Sequence, residues 1–391
     1  MLDARRGWFA VVAVALGLFA MVTTELLPVG LLSPVAASLD VSEGTAGLMV
    51  TAPGFVAAVA APLIAGTAGR VDRRLLLAGL AAMLGLGNLT CAVAPHFGVV
   101  LVGRLVVGLS IGGFWAIAAG LPVRLVPAQS VGLATATVFG GASIGSVIGV
   151  PVGTLIADLG SWRTSFTVVG LLGLASLVSL LVLLPPLPSR EASALGRLPA
   201  LFRENTAVRM GVLLTFLLVT AHFAAYTFVR PILREVSGIG GDWIGLVLLV
   251  FGAAGIAGNF LAGSTVKTRV RATLLTISAV IGLALMALVV VGRAPALAVG
   301  LLVVWGLAYG GVTVALQTWM RLSAPNRIEA AASLCVTAFN LSIGLGALLG
   351  GLTVDRVSTS AVLWTGATFA LITAVTVLTA RPPAPAEQDA A

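Results

Sequence analysis

One acidic side chain stands out because it lies inside a long apolar stretch. Glu25 is the single carboxylate well within such a segment, and Pro28 follows it closely. A charge at the centre of a membrane helix costs about 2.5–3.5 kcal/mol and usually faces a cavity. Apolar surroundings favour the neutral form of a carboxyl group, and Pro28 cannot donate a hydrogen bond to the Thr24 carbonyl. The pattern predicts a reversible proton carrier in a bent helix; the alternative is a structural Glu near the membrane interface.

Two further ionisable positions can work with this carboxylate. Arg104 lies about seven residues into its apolar segment, roughly 10 Å deep at the helical rise. It can pair with Glu25 as a counter-ion or hydrogen-bond backbone carbonyls instead. His222, Tyr226 and Arg230 recur every fourth residue and therefore share one helix face. His222 can accept a proton near physiological pH or serve as a hydrogen-bonded packing residue, while Tyr226 and Arg230 can contact a polar substrate.

Other polar and aromatic side chains in the apolar segments are candidates for lining a substrate cavity. Polar groups in membrane spans tend to face the interior, and aromatic faces suit a flat ring. The candidates are Phe114, Trp115, Trp305, Tyr309, Gln317 and Asn340. There is no phosphate-binding G-x-x-x-x-G-K-[ST] motif, no spacing of His and Cys typical of a metal site and no recognisable catalytic set. We therefore expect neither an enzyme nor a cofactor.

Composition identifies the solvent of this chain. Of 391 residues, 59% are hydrophobic and only 9% are charged, against about 25% charged in soluble domains. Lipid must therefore be the main solvent. The net charge of +8 could indicate nucleic acid, but the basic residues sit in short clusters between apolar runs, as in loops beside membrane spans. The expected partners are protons, a small-molecule substrate and membrane lipids, with no nucleic acid, for a chain that acts as a monomer.

Twelve apolar segments have the length of roughly 20 residues that a membrane helix needs. They lie at 8–32, 45–68, 75–94, 97–121, 131–156, 165–187, 209–231, 243–266, 272–292, 295–319, 328–352 and 360–380. The longest polar connection falls at the middle. The sequence therefore predicts an all-α membrane protein with two pseudo-symmetric six-helix bundles, at 1–187 and 209–391, joined by a cytoplasmic linker at 188–208.

The basic residues of the loops predict the orientation. With the N-terminus inside, sixteen loop Lys and Arg residues fall on the cytoplasmic side and five on the other. The positive-inside rule then places both termini in the cytoplasm, in what we expect to be a bacterial inner membrane. The halves also match each other: the second loop of each is basic, and aligning Gly66 with Gly263 sets Glu25 against His222. Two such halves describe the major facilitator architecture.

Several motifs carry a resemblance to that superfamily along the whole chain, and within it to the twelve-helix drug–proton antiporters. The stretch from Gly66 to Arg74, with Asp72 and Arg73, is similar to the signature loop between the second and third helices. It departs from the usual pattern, because Gly69 stands where an acidic residue is common and Asp72 where Gly is common. Arg104 resembles the arginine motif of the fourth helix.

The fifth segment resembles the antiporter motif through its regularly spaced small residues, Gly141, Gly145, Gly149, Pro151 and Gly153. Glycines four residues apart let two helix backbones approach closely, and such smooth surfaces can also let two halves rock. Gly113–Ala116 and Arg124–Pro127 are similar to purine ribonucleoside exporters, whereas Thr220–Tyr226 and Phe339–Gly344 are similar to sugar-efflux transporters. The subfamily therefore stays open.

The resemblance and the ionisable residues together predict a proton-coupled antiporter. It would export a small polar or amphipathic molecule, such as a purine nucleoside, a sugar or a drug, by alternating access. The alternative is a passive facilitator or importer of a small metabolite with the same fold, and dependence on a proton gradient separates the two.

Overall fold

The computed structural model describes residues 4–67, 71–118, 120–188 and 198–380, and every regular element in this part of the chain is a helix. Among these described residues, twelve helices are long and apolar enough to cross a membrane. The predicted fold class and the number of spans are therefore confirmed.

The first six of these helices are α1 Ala4–Ser38, α2 Leu48–Thr67, α3 Arg73–Ala92, α4 Phe97–Ala118, α5 Val131–Leu159 and α6 Trp162–Leu183. The second six are α7 Thr206–Tyr226, α8 Gly241–Val266, α9 Thr268–Val291, α10 Pro295–Ser323, α11 Ile328–Arg356 and α12 Ala361–Thr379. Short helical segments at Glu43–Ala46, Pro122–Leu125, Ala128–Ser130, Leu198–Glu204, Val229–Pro231, Ile232–Val236 and Pro325–Arg327 connect them.

Polar side chains fix where several of these helices begin. The Asp72 carboxylate accepts a hydrogen bond from the Arg74 amide at the start of α3. Ser161 does the same for Thr164 in α6, and Asn205 for Val208 in α7. Each cap satisfies a backbone N–H that has no partner inside its own helix.

Several boundaries differ from those predicted: α1, predicted at 8–32, runs from Ala4 to Ser38, and two other differences change the path of the backbone. The loop expected between 266 and 272 is a sharp bend, since only Arg269 leaves helical geometry, at φ −139° and ψ 48°. The seventh span, predicted to run to residue 231, ends at Tyr226. A single helical turn, Val229–Pro231, which carries Arg230, and a π-helical turn, Ile232–Val236, follow it. Apolar composition alone cannot show such breaks, because the residues on both sides suit lipid equally well.

The first bundle is built on close contact between α1 and α5. A Cβ atom added at Gly141 would collide with Ala15, and one at Gly145 would lie 2.9 Å from the Phe19 oxygen. Gly149 meets Thr23, and Gly153 meets Leu27. The glycines of α5 and the α1 residues that they contact both recur every four residues, so the glycine face of α5 follows one face of α1 along its length.

The two sets of six helices meet along α2 with α11 and along α5 with α8. Gly54 packs on Gly344 in the first pair, and Gly252 packs on Val147 in the second. We use "far end" for the end of the molecule where α1 finishes at Ser38 and "near end" for the end where α1 begins. Every hydrogen bond that joins described residues of the two sets lies at the far end.

Most of the predicted linker lies outside the described residues, which resume with the helix Leu198–Glu204 packed on α7 and α11. The predicted domain bounds stay a prediction.

Candidate substrate and proton site

Glu25 lies in the middle of α1 and remains partly exposed, as does Leu26, although Thr24 before them and Leu27 after them are buried. Trp115 of α4 lies beside its carboxylate, and Arg104 is close enough for the two charges to interact. Tyr309 of α10, from the second set of helices, is also within electrostatic reach. Glu25 therefore faces the space between the two sets, at mid-depth.

Arg104 is completely buried and is held by backbone rather than by a carboxylate. Its Nε donates to the carbonyl of Met49 in α2 at 2.7 Å, and its Nη1 donates to the carbonyl of Thr24 in α1 at 3.1 Å. Its Nη2 has no hydrogen-bond partner among the described residues. The counter-ion expected for Glu25 is thus close by, but the ion pairs between described residues do not include these two side chains.

A residue that the sequence did not single out, Asn88 of α3, supports the same turn of α1. It is buried, and its Nδ2 donates to Thr24 Oγ1 at 3.1 Å. Thr24 is therefore fixed from α3 through its side chain and from α4 through its carbonyl. A lone polar residue in an apolar span was the available signal.

His222 belongs to a buried aromatic cluster in the second set of helices. Its ring stacks on Tyr309 with centroids 3.3 Å apart and on Tyr226 at 4.8 Å. The Trp305 indole donates to His222 Nδ1 at 3.2 Å. An indole nitrogen can only donate, so Nδ1 must be an acceptor and the imidazole is neutral in this arrangement. This arrangement matches the hydrogen-bonded packing role that was the alternative to proton transfer, and the proton role of His222 stays a prediction.

The other candidates for the cavity lie in different surroundings. Trp115 and Tyr309 are partly exposed between the halves, and Gln317 is exposed on α10. Asn340 is buried near the contact of α11 with α2, and its Oδ1 has no partner among the described residues. Phe114 faces away from the cavity: it is fully buried against Gly17 within the first bundle. Consecutive residues point about 100° apart on a helix, which separates Phe114 from Trp115.

Comparison with known proteins agrees with this architecture. The family model described as Major Facilitator Superfamily matches residues 10–335. The chain belongs to the Major Facilitator Superfamily.

Two curated relatives span nearly the whole transporter. The purine ribonucleoside efflux pump NepI of Escherichia coli K12 is 34% identical over 376 residues, which cover 95% of this chain and 94% of the relative. A Pseudomonas aeruginosa protein named transcription regulatory protein OpdE is 37% identical over 386 residues, which cover 97% and 95%.

Solved structures share the fold at low sequence identity. A bacterial homologue of the human lysosomal transporter Spinster, in an inward-facing and unoccupied conformation, superposes with a TM-score of 0.73 at 16% identity, covering 98% of this chain and all of that one. The human organic anion transporter MFSD10 gives 0.71 at 16% identity, covering 96% and 100%. Family membership and the efflux-pump relative, together with the twelve candidate spans of the described residues, make the protein a multi-pass membrane transporter and not an enzyme.

The far end of the transporter is closed by two polar contacts between the halves. Arg230 was expected to contact substrate, but its Nη1 donates to the Gly30 carbonyl of α1 and its Nη2 to Asp158 of α5 at 3.2 Å. On the other side, the Asp355 carboxylate of α11 accepts from Ser42 Oγ at 2.6 Å and from the Gly44 amide at 3.0 Å. Asp158, Ser42 and Asp355 were not predicted, because helix-end polar residues are common.

The signature loop ties the near ends of the first bundle together. The Arg73 amide donates to the carbonyl of Leu187, just beyond the end of α6, at 3.0 Å. The Arg74 guanidinium donates to the carbonyl of Leu181 in the last turn of α6. Gly66 lies in the last turn of α2, and residues 68–70, including Gly69, lie outside the described residues.

In the fifth helix, Pro151 cannot donate to the Val147 carbonyl, which faces Gly252 of α8.

Proposed function

We propose that this transporter exports a purine nucleoside or a molecule of similar shape in exchange for protons, by alternating access. The observation that carries the proposal is the position of Glu25, partly exposed between the halves, with Trp115 on one side and Tyr309 on the other. One titratable carboxyl and two aromatic faces then share a single site.

Glu25 supplies the proton-coupled step. In its ionised form it attracts Arg104, whose charge is already within reach; in its protonated form that attraction is lost. The local arrangement of α1 and α4 therefore depends on the protonation of one side chain. Because Glu25 also borders the cavity, a substrate and a proton can compete for the same position, which is the requirement for exchange.

The aromatic side chains support a flat substrate. Trp115, stacked on Phe139 at 6.4 Å, and Tyr309, stacked on His222 in the opposite half, both remain partly exposed. Aromatic faces bind the flat ring of a base by offset stacking. The unpartnered Oδ1 of Asn340 offers an acceptor for an amino or hydroxyl donor of the substrate. The name of the Escherichia coli relative supports the same substrate class.

Closure at the far end gives the transport direction in this proposal. The hydrogen bonds that join described residues of the two halves all lie at the far end, so the halves are tied together there. The excess of basic loop residues on the near side supports an orientation with that side, and both termini, in the cytoplasm of a bacterial inner membrane. The cavity then loads from the cytoplasm, as export requires, in a monomer surrounded by lipid.

Transport by purified protein in lipid vesicles tests the proposal. Tritiated inosine is the first probe, with a labelled pentose and a cationic drug as parallel probes. With an acidic vesicle interior, an antiporter accumulates the probe inside above its external concentration, and a protonophore abolishes this accumulation. A passive facilitator brings the probe only to equal concentrations, with or without the gradient, and that result would contradict proton coupling.

A further inference from the structure

Two prolines lie inside the helices that hold Arg104. Pro28 interrupts α1 and Pro53 interrupts α2. A proline inside a helix has no N–H to give to the carbonyl four residues earlier, and its ring pushes that carbonyl aside. The two carbonyls released in this way belong to Thr24 and Met49.

Arg104 binds these same two carbonyls. Its Nε reaches Met49 at 2.7 Å and its Nη1 reaches Thr24 at 3.1 Å. An unsatisfied carbonyl is unfavourable in a lipid environment, and so is an unpartnered guanidinium, so the hydrogen bonds between them satisfy both groups. The rigid planar fork of arginine can serve two acceptors in fixed directions, which a lysine cannot do.

Only some of the carbonyls released by prolines inside helices accept a hydrogen bond from an arginine. Pro34 of α1 releases the Gly30 carbonyl, which accepts from Arg230. Pro62 of α2 releases the Ala58 carbonyl, to which no described side chain donates. The prolines therefore fall into two groups, and Pro62 provides an internal control for Pro53 on the same helix.

We propose that Pro28 and Pro53 are positioning residues for proton coupling: the carbonyls that they release hold two nitrogens of Arg104, leaving its third nitrogen, Nη2, to meet Glu25. This rests on the proton role of Glu25 proposed above. Glu25 directly follows Thr24 in α1, so the carbonyl contact fixes the guanidinium beside the residue that it serves.

Few other titratable groups face this pair among the described residues. Tyr309 of α10 is within electrostatic reach of Glu25, and Cys91 of α3 is within reach of Arg104. Neither lies on α2. A change at Pro53 can therefore reach Glu25 through Arg104 without altering either neighbour directly, whereas a change at Pro28 also acts along α1 itself.

Infrared titration of the purified protein in lipid tests the proposal without any substrate. The carboxyl stretching band of protonated Glu25 is identified as the band that Glu25→Gln removes, and its midpoint is followed against pH. Pro53→Ala restores the N–H that competes for the Met49 carbonyl. We expect it to shift the midpoint in the same sense as Arg104→Gln but by less, with Pro62→Ala matching the unmodified protein.

Arg104→Lys is the second variant, since it keeps the charge and loses the fork. We expect it to shift the midpoint in the same direction as Pro53→Ala. It therefore tests the proposal independently if a proline variant folds poorly. A midpoint that responds to Arg104→Gln but not to Pro53→Ala or Arg104→Lys would overturn the positioning role and leave proton coupling intact. If no band assigned to Glu25 titrates at all, the proton role fails, and the positioning role fails with it.

Discussion

Replacing Arg230 by Met should open the far end of the transporter. Met keeps the apolar stem of the side chain and removes its donors, so the Gly30 carbonyl and Asp158 both lose their partner. These contacts join the two halves directly. The second far-end contact, from Asp355 to Ser42 and Gly44, remains in the variant.

The two contacts of Arg230 differ in strength because they differ in exposure. Hydrogen bonds to charged groups contribute about 1.5–3 kcal/mol when buried, and the Arg230 side chain is 9% exposed. Asp158 is 36% exposed, so its ion pair falls to about 0.2–1 kcal/mol. At about 1.4 kcal/mol per tenfold, losing the carbonyl contact raises the ratio of open to closed far ends about 10- to 150-fold. Asp158→Asn raises this ratio less than about fivefold by the same conversion.

Distances between two spin labels measure that ratio. The labels are attached at Ala37→Cys and Val357→Cys, exposed positions at the far end of the two halves. Arg163→Met is the matched control, because Arg163 also lies at the far end but donates only within the first bundle, to Ser38 and Ala94. We expect a longer distance population in Arg230→Met and none in Arg163→Met. Equal effects of Arg230→Met and Asp158→Asn would refute the assignment of most of the energy to the Gly30 carbonyl.

Three further predictions concern the proton site, the packing and the topology. Glu25→Gln should abolish accumulation of the probe against its gradient and leave counterflow exchange intact, because the amide mimics the protonated acid; Glu43→Gln at the far end is the control, and accumulation at the unmodified rate would contradict the role of Glu25. Gly141→Ala should lower the unfolding temperature, because overpacking against Ala15 costs about 1–3 kcal/mol. Gly140→Ala is the control: a Cβ atom there has nothing within 4 Å, so the unfolding temperature should stay unchanged or rise through a helix-propensity gain of up to about 1 kcal/mol. Equal shifts of the unfolding temperature in the two variants would be inconsistent with the α1–α5 contact. Reporter fusions after Arg381 and within 188–208 should both report the cytoplasm, and an external signal from either would reject the proposed orientation.

The number of helices could be predicted because lipid imposes a strong and local rule: each span needs its own apolar length. Glu25 could be singled out for the same reason, since a charge in such a span is expensive wherever the helix packs. The glycines spaced by four residues from Gly141 to Gly153 also predict close packing against another helix, because the absent side chains allow two backbones to approach.

The contacts between residues far apart in the chain could not be predicted from the sequence. The sequence indicates that Pro28 frees the Thr24 carbonyl, but only the packing of α4 against α2 brings Met49 to the same guanidinium. The contact from Asp355 to Ser42 joins residues 313 positions apart. Phe114 and Trp115 are both aromatic and adjacent, and nothing local says which one faces the cavity.

The contacts of α1 also say where this helix must bend. Thr24 is attached to α3 and α4 of its own half, through Asn88 and Arg104. Gly30, less than two turns further on, is attached to Arg230 of the other half. When the far end opens, the second attachment breaks while the first remains, so the change in α1 should fall between Thr24 and Gly30.

That interval contains Glu25 and Pro28, which places the proposed proton carrier at the bend itself. Amide hydrogen exchange can test this, because it reports local opening of helices. In Arg230→Met, exchange should rise in the segment 29–35 and stay unchanged in the segment 16–23, which packs on the glycine row of α5. A uniform rise along α1 would mean that the helix moves as one rigid rod, and protonation of Glu25 would then need a different route to the far end.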